Sequence, residues 1–143
     1  FMTPSAMVKN RQWADITATC QAAVDKLLGF AIWHTGIHCQ TKEEAEAVTD
    51  RLCGLLHQKK IEVPGASWFV GTLVEVCYKK LPGEKGHVGI DTRDIDRAIA
   101  YYKRQGVEFA EDGFTYDDQG RVRLAYFKEL YHGFSVHLRR QPK

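Results

Sequence analysis

His34-Thr35-Gly36-Ile37 recurs 53 positions later as His87-Val88-Gly89-Ile90. The same offset aligns Ala45 with Ala98, Ala47 with Ala100 and Arg51 with Arg104. A chain that repeats at such a period builds one supersecondary unit twice, and the two copies must bury their apolar faces together. A length of 143 residues leaves room for two copies and one further element.

Each copy shows the same order of signals. In the first, residues 30–39 read as a strand. Thr41 with Glu44 has capping-box spacing, so a helix is expected from about Lys42. Ala45, Val48, Leu52 and Leu55 or Leu56 give it one apolar stripe, and Gly54 leaves its end between Cys53 and Gln58. Pro64-Gly65 marks a turn, with Ser67–Val70 and Leu73–Lys79 as strands around Gly71. In the second copy, residues 87–92 are the strand, Asp94 the N-cap, and Ile95, Ala98, Ile99 and Tyr102 the buried helix face, with Gly106 as C-terminal cap. Residues 107–109, 122–129 and 134–139 follow as strands. The expected fold is α+β: two tandem βαβββ modules, 30–83 and 84–143, forming a cupped mixed sheet. Residues 1–29 form an N-terminal helical arm. There Trp13, Ile16, Cys20, Ala23 or Val24, and Leu27 line a stripe that must bury against the modules, a partner chain or another domain.

Charge narrows the function classes. Lys plus Arg total 20 and Asp plus Glu 18, a formal net charge of +2. Nucleic-acid and membrane-surface proteins carry a clustered basic field that this balance lacks. No apolar run approaches the roughly 20 residues of a membrane span. No charged leader precedes an apolar core, and the cysteines (Cys20, Cys39, Cys53, Cys77) match no zinc-knuckle spacing. They read as reduced thiols in apolar positions, so a cytoplasmic location is expected. An opening of Phe1-Met2-Thr3-Pro4 suggests a piece of a longer protein.

Strand alternation sends every second side chain to one face. Trp33, Thr35, Ile37 and Cys39 fall on one face, where the apolar members should face the helices. That leaves His34, Gly36 and His38 on the opposite, concave face, and His87, Gly89 and Asp91 with them. In the last strands Glu75 and His137 fall on that face too. One ionisable residue thus sits mid-strand in each of four strands: His34, Glu75, His87 and His137. Three imidazoles and a carboxylate suit Zn²⁺, Mn²⁺, Fe²⁺ or Ni²⁺. His38, His57 and His132 lack a counterpart of this kind and are expected at the surface or in turns. Asp91 and Arg139 share the concave face, as substrate contacts or as a structural pair. Lys79, Lys80 and Lys85 form a small basic cluster that could meet an anion.

Two βαβββ copies opening on His34 and His87 and closing near Glu75 and His137 resemble the vicinal oxygen chelate superfamily, which includes glyoxalase I, extradiol dioxygenases and fosfomycin-resistance enzymes. The resemblance implies that each curved sheet forms half a cup, and that His34, Glu75, His87 and His137 occupy the four ligand places. Glyoxalase I carries a Glu where this chain has His137. A metal-bound imidazole has its lone pair committed, so it cannot serve as that carboxylate base. Fewer anionic ligands leave the site more positive and favour anionic oxygen ligands. A narrower resemblance runs through residues 7–9, 13–17, 22–24 and 28–30, which are similar to the end of keto-hydroxyglutarate/keto-deoxy-phosphogluconate aldolase barrels. Residues 87–90, 97–101, 106–109 and 133–138 resemble the vicinal oxygen chelate module fused to some bacterial aldolases of this type. That implies a metal-binding accessory domain taking a small anionic keto acid, with an upstream aldolase barrel or a homodimer as partner. In that family the Schiff-base lysine and acid/base glutamate lie upstream, outside this chain. Two alternatives stand beside it: a stand-alone metalloenzyme of glyoxalase, isomerase or dioxygenase type, and a metal-free interaction domain.

Overall fold

The computed structural model describes residues 4–142, so the opening Phe1-Met2-Thr3 lies outside the described residues. A short helix, α1 (Ser5–Lys9), leads into α2 (Trp13–Leu28), which stops at Gly29 in the left-handed region. The first repeat unit comprises β1 (Ala31–His38), α3 (Lys42–Leu56), β2 (Lys60–Val63), β3 (Ser67–Val70) and β4 (Val74–Cys77). The second comprises β5 (Gly86–Thr92), α4 (Ile95–Arg104), β6 (Phe109–Tyr116), β7 (Val122–Phe127) and β8 (Phe134–Arg140). The architecture is the expected α+β one, with eight strands in one mixed sheet ordered β2-β3-β4-β1-β5-β8-β7-β6.

The helix starts follow from local chemistry. The Thr41 hydroxyl accepts the Glu44 amide at 3.1 Å, and Asp94 caps α4 through the Arg97 amide at 3.1 Å. Each helix then packs its stripe on its own module's outer strands, α3 over β3 and β4, α4 over β7 and β8. Two cores result. One joins Ala45 to Trp68, Val70 and Val76; the other joins Ile95 and Ala98 to Phe109, Ala125, Phe127 and Leu138. The cysteines are free, Cys77 buried and the others half-buried.

The modules meet through their first strands. β1 and β5 pair antiparallel, and each pairs parallel with the last strand of its own unit, β4 and β8. The register is reciprocal: His34 lies opposite Gly89, and Gly36 opposite His87. This relation of the repeated motif to itself positions the site.

Several expectations need correction. The βαβββ order requires a strand between α3 and Ser67 that the residues do not place; it is β2, a mostly exposed edge strand that pairs with β3 across the Pro64-Gly65 turn. The strand expected at 107–109 runs instead from Phe109 to Tyr116, because the turn-like Glu111-Asp112-Gly113 lies at a register shift within the edge strand and does not end it. The arm's stripe is not buried throughout. Leu28 is 2% exposed and Val24 packs beside it on the second core, but Trp13 is 58% exposed and Leu27 46%. Nor do helices cover the apolar side of β1, since α3 and α4 lie over flanking strands and leave Ile32 77% exposed.

Candidate metal centre

The four sequence-predicted residues come from β1, β4, β5 and β8, which are adjacent in the sheet. His34, His87 and His137 are buried at 2%, 1% and 2% exposure. His34 Nε2 lies 2.6 Å from His87 Nε2, and Glu75 Oε2 lies 3.1 Å and 3.2 Å from those two atoms. His137 closes the group from β8, so that ring nitrogens of the three histidines all lie within 4.8 Å of one another. Metal–ligand bonds of about 2.0–2.2 Å put neighbouring ligand atoms roughly 3.0–3.5 Å apart. The carboxylate–imidazole spacings already match, and the buried histidine triad is a group that could hold a metal ion.

Two glycines make the approach of the rings possible. A Cβ on Gly36 would clash with the His87 ring, 2.6 Å from its Nε2 and closer still to its Cε1 and Nδ1. A Cβ on Gly89 would come within 2.9 Å of His34 Cε1 and 3.0 Å of His137 Cε1. The repeated His-x-Gly is therefore one device used twice, each glycine making room for the other copy's imidazole.

The electrostatics favour neutral His34 and His137 rings beside an anionic Glu75 carboxylate. Burial lowers His34 below its ordinary value and takes His137 down to about 3. Burial alone would raise Glu75, but hydrogen bonding to His34, His87 and Ser67 outweighs it and holds the carboxyl well below its usual range. Ser67 Oγ donates to Glu75 Oε1 at 2.5 Å. Among the described residues, the buried Nδ1 atoms of His34 and His137 have no hydrogen-bond partner.

Three neighbours escaped sequence reasoning or were misplaced by it. His38 is not a surface or turn residue. It ends β1 half-buried, with Nε2 at 2.9 Å from His87 Nδ1 and Nδ1 at 2.6 Å from the Gly83 carbonyl. The signal was the alternation that puts it on His34's face, whereas its repeat counterpart is Asp91. Trp33 does not oppose His34: a register shift between Ile32 and His34 turns it against the His34 ring, with centroids 4.0 Å apart. Tyr126 from β7 lies 4.8 Å from the His137 ring, its hydroxyl raised by burial to about 12. Asp91 and Arg139 form a structural pair, bidentate at 2.6 and 2.8 Å, with the guanidinium 3.5 Å from the centre of the Trp33 ring. His57 and His132 occupy left-handed turn positions, as expected.

No family model and no curated protein matches the chain. Solved structures do. Methylmalonyl-CoA epimerase of Streptomyces coelicolor, in complex with 2-nitronate-propionyl-CoA, aligns at 16% identity and a TM-score of 0.55, over 78% of this chain and 97% of that one. The methylmalonyl-CoA epimerase of Mycobacterium tuberculosis aligns at 11% identity and 0.54, over 82% and 91%. A hypothetical protein of Bacillus halodurans aligns at 16% and 0.54, over 80% and 96%. These likenesses do not speak for the aldolase resemblance. At such identities they carry the fold alone, which is of the vicinal oxygen chelate type.

Proposed function

We propose that the chain is a divalent-metal protein whose centre is held by His34, Glu75, His87 and His137, and that it works as a metalloenzyme of glyoxalase, isomerase or dioxygenase type on a small anionic oxygen ligand. The observation that carries this is the meeting of His34 Nε2, His87 Nε2 and Glu75 Oε2 at 2.6–3.2 Å, beneath a third buried imidazole. When bound, the ion supplies Lewis acidity toward substrate oxygens. The chain's own residues orient and neutralise. Glu75 contributes one negative charge, leaving net positive charge for an anionic ligand. Tyr126 stays protonated at neutral pH and can donate a hydrogen bond but not accept a proton as a base. Asp91 is held by Arg139, and the glyoxalase base position is His137, so proton shuttling through that place is not expected.

A cavity of ≈ 630 Å³ borders the cluster at His38 and is lined also by Cys39, Lys79, Lys80, Pro82 and Glu84. The two lysines suit a carboxylate or phosphate. The neighbouring folds include an epimerase bound to a nitronate, itself an anionic oxygen ligand. A second reading, an accessory module beside an aldolase barrel, draws on the uncovered Trp13 end of α2.

The test is metal loading of the purified chain with Zn²⁺, Mn²⁺, Fe²⁺ and Ni²⁺, followed by dialysis and elemental analysis. One ion per chain in wild type, none in His87→Ala and unchanged content in His132→Ala support the metal reading. No bound metal under any loading leaves the interaction-domain reading. Deuterium wash-in at carbon next to the carbonyl of α-keto acids and acyl thioesters then distinguishes isomerase chemistry from the other types.

A further inference from the structure

With His38 neutral, the hydrogen-bond chain behind His87 runs in one direction. A carbonyl oxygen can only accept, so the 2.6 Å contact to Gly83 requires the proton of His38 on Nδ1. Neutral His38 then presents a bare Nε2. The 2.9 Å contact with His87 Nδ1 makes that nitrogen the donor. His87 therefore carries a proton on Nδ1, and Nε2 is the nitrogen left to face His34 Nε2 and Glu75 Oε2. The end of the chain is itself fixed. Gly83 has φ +87, and a Cβ there would sit 2.5 Å from the Gly86 carbonyl and 2.6 Å from the Ser135 amide. Ser135 Oγ donates to the adjoining Pro82 carbonyl at 2.6 Å.

We infer that His38 is a positioning residue: with the Gly83 carbonyl of the inter-module linker, it locks His87 in the Nδ1–H tautomer that leaves Nε2 free to bind a metal ion. The inference rests on the proposed metal centre, but the Nδ1 proton is set by the relay alone and can be read without an ion. Second-layer partners of this kind typically change metal affinity by about 10–100-fold. The same residues offer a rival arrangement, because His38, Cys77 and His87 also have ligand atoms within 4.8 Å of one another. In that arrangement His38 would bind an ion of its own.

The experiment uses the full chain labelled with ¹⁵N-histidine. Two-bond ¹H–¹⁵N spectra of the metal-free protein read the His87 tautomer, and competition with a chelator reads Zn²⁺ affinity and stoichiometry. The expected results are an Nδ1–H His87 in wild type and one Zn²⁺ per chain. In His38→Ala the tautomer is lost and affinity is about 10–100-fold weaker. His38→Gln, whose amide oxygen can accept from His87 Nδ1, restores both. An Nε2–H His87 in wild type, wild-type affinity in His38→Ala, or two ions per chain would overturn the inference. A wild type that binds no Zn²⁺ yet shows the Nδ1–H tautomer would sink the proposed function and leave the relay standing.

Discussion

Three glycine-to-alanine changes should have opposite signs, set by what the new methyl meets. At Gly36 the methyl clashes with the His87 ring, with β1 and β5 fixed by their ladder, so the imidazole must leave. Overpacking a well-filled site costs roughly 1–3 kcal/mol, and this case belongs at the upper end. For a chain of this size about 1 kcal/mol moves the melting temperature by about 3 °C, giving a drop near 10 °C. Gly36→Ala should also lose metal binding, because His87 is displaced. At Gly89 the contacts are 2.9–3.0 Å to ring carbons of His34 and His137, so small shifts suffice and the drop should be about 3–6 °C. Gly54 lies inside α3 with nothing within 4 Å. There alanine should stabilise by about 0.5–1 kcal/mol, since only backbone entropy changes. Thermal melts by circular dichroism, with and without Zn²⁺, measure all three. A Gly36→Ala protein that melts with wild type and still binds metal would refute the reciprocal packing of the two motifs.

The metal-free chain should lose stability in mild acid. The folded values of His34 and His137 lie below their unfolded ones, so the unfolded chain takes up protons first as pH falls. The contribution of His137 is complete above about pH 6.5 and drains away toward about pH 3, by up to about 1.4 kcal/mol per unit, and His34 acts with the same sign. Depression of Glu75 acts with the same sign at lower pH. Urea midpoints that do not change between pH 7.5 and 5 would contradict this. Adding Zn²⁺ at 100 times its dissociation constant should raise stability by about 2.7 kcal/mol, and EDTA should reverse it; equal melting in both would count against a folded-state site. In the arm, Leu28→Ala should cost about 2–5 kcal/mol, whereas Trp13→Ala should stay within about 0.5 kcal/mol. Equal effects in denaturant titrations would mean that α2 docks along its whole length.

Much of this molecule was legible before folding was considered. The 53-residue offset marks two copies of one unit, and the caps at Thr41 and Asp94 mark where their helices start. Period-two alternation selects His34, Glu75, His87 and His137 as residues of one face, because pleating is a local property of extended backbone. Local rules stop where pairing begins. Alternation placed Trp33 away from His34, but the irregularity against β5 turned it inward, and such an irregularity exists only once two strands are in register. Alternation puts His38 on His34's face, but without a matching histidine in the repeat nothing separates it from a surface residue; its role depends on a linker carbonyl 45 residues away. The glycines in His-x-Gly read as ordinary strand glycines until β1 and β5 pair antiparallel and set each opposite the other copy's imidazole. Residue type and spacing determine which groups can reach the centre. Only the long-range register decides which nitrogen of each ring faces it, because a hydrogen bond's direction depends on what stands on its far side.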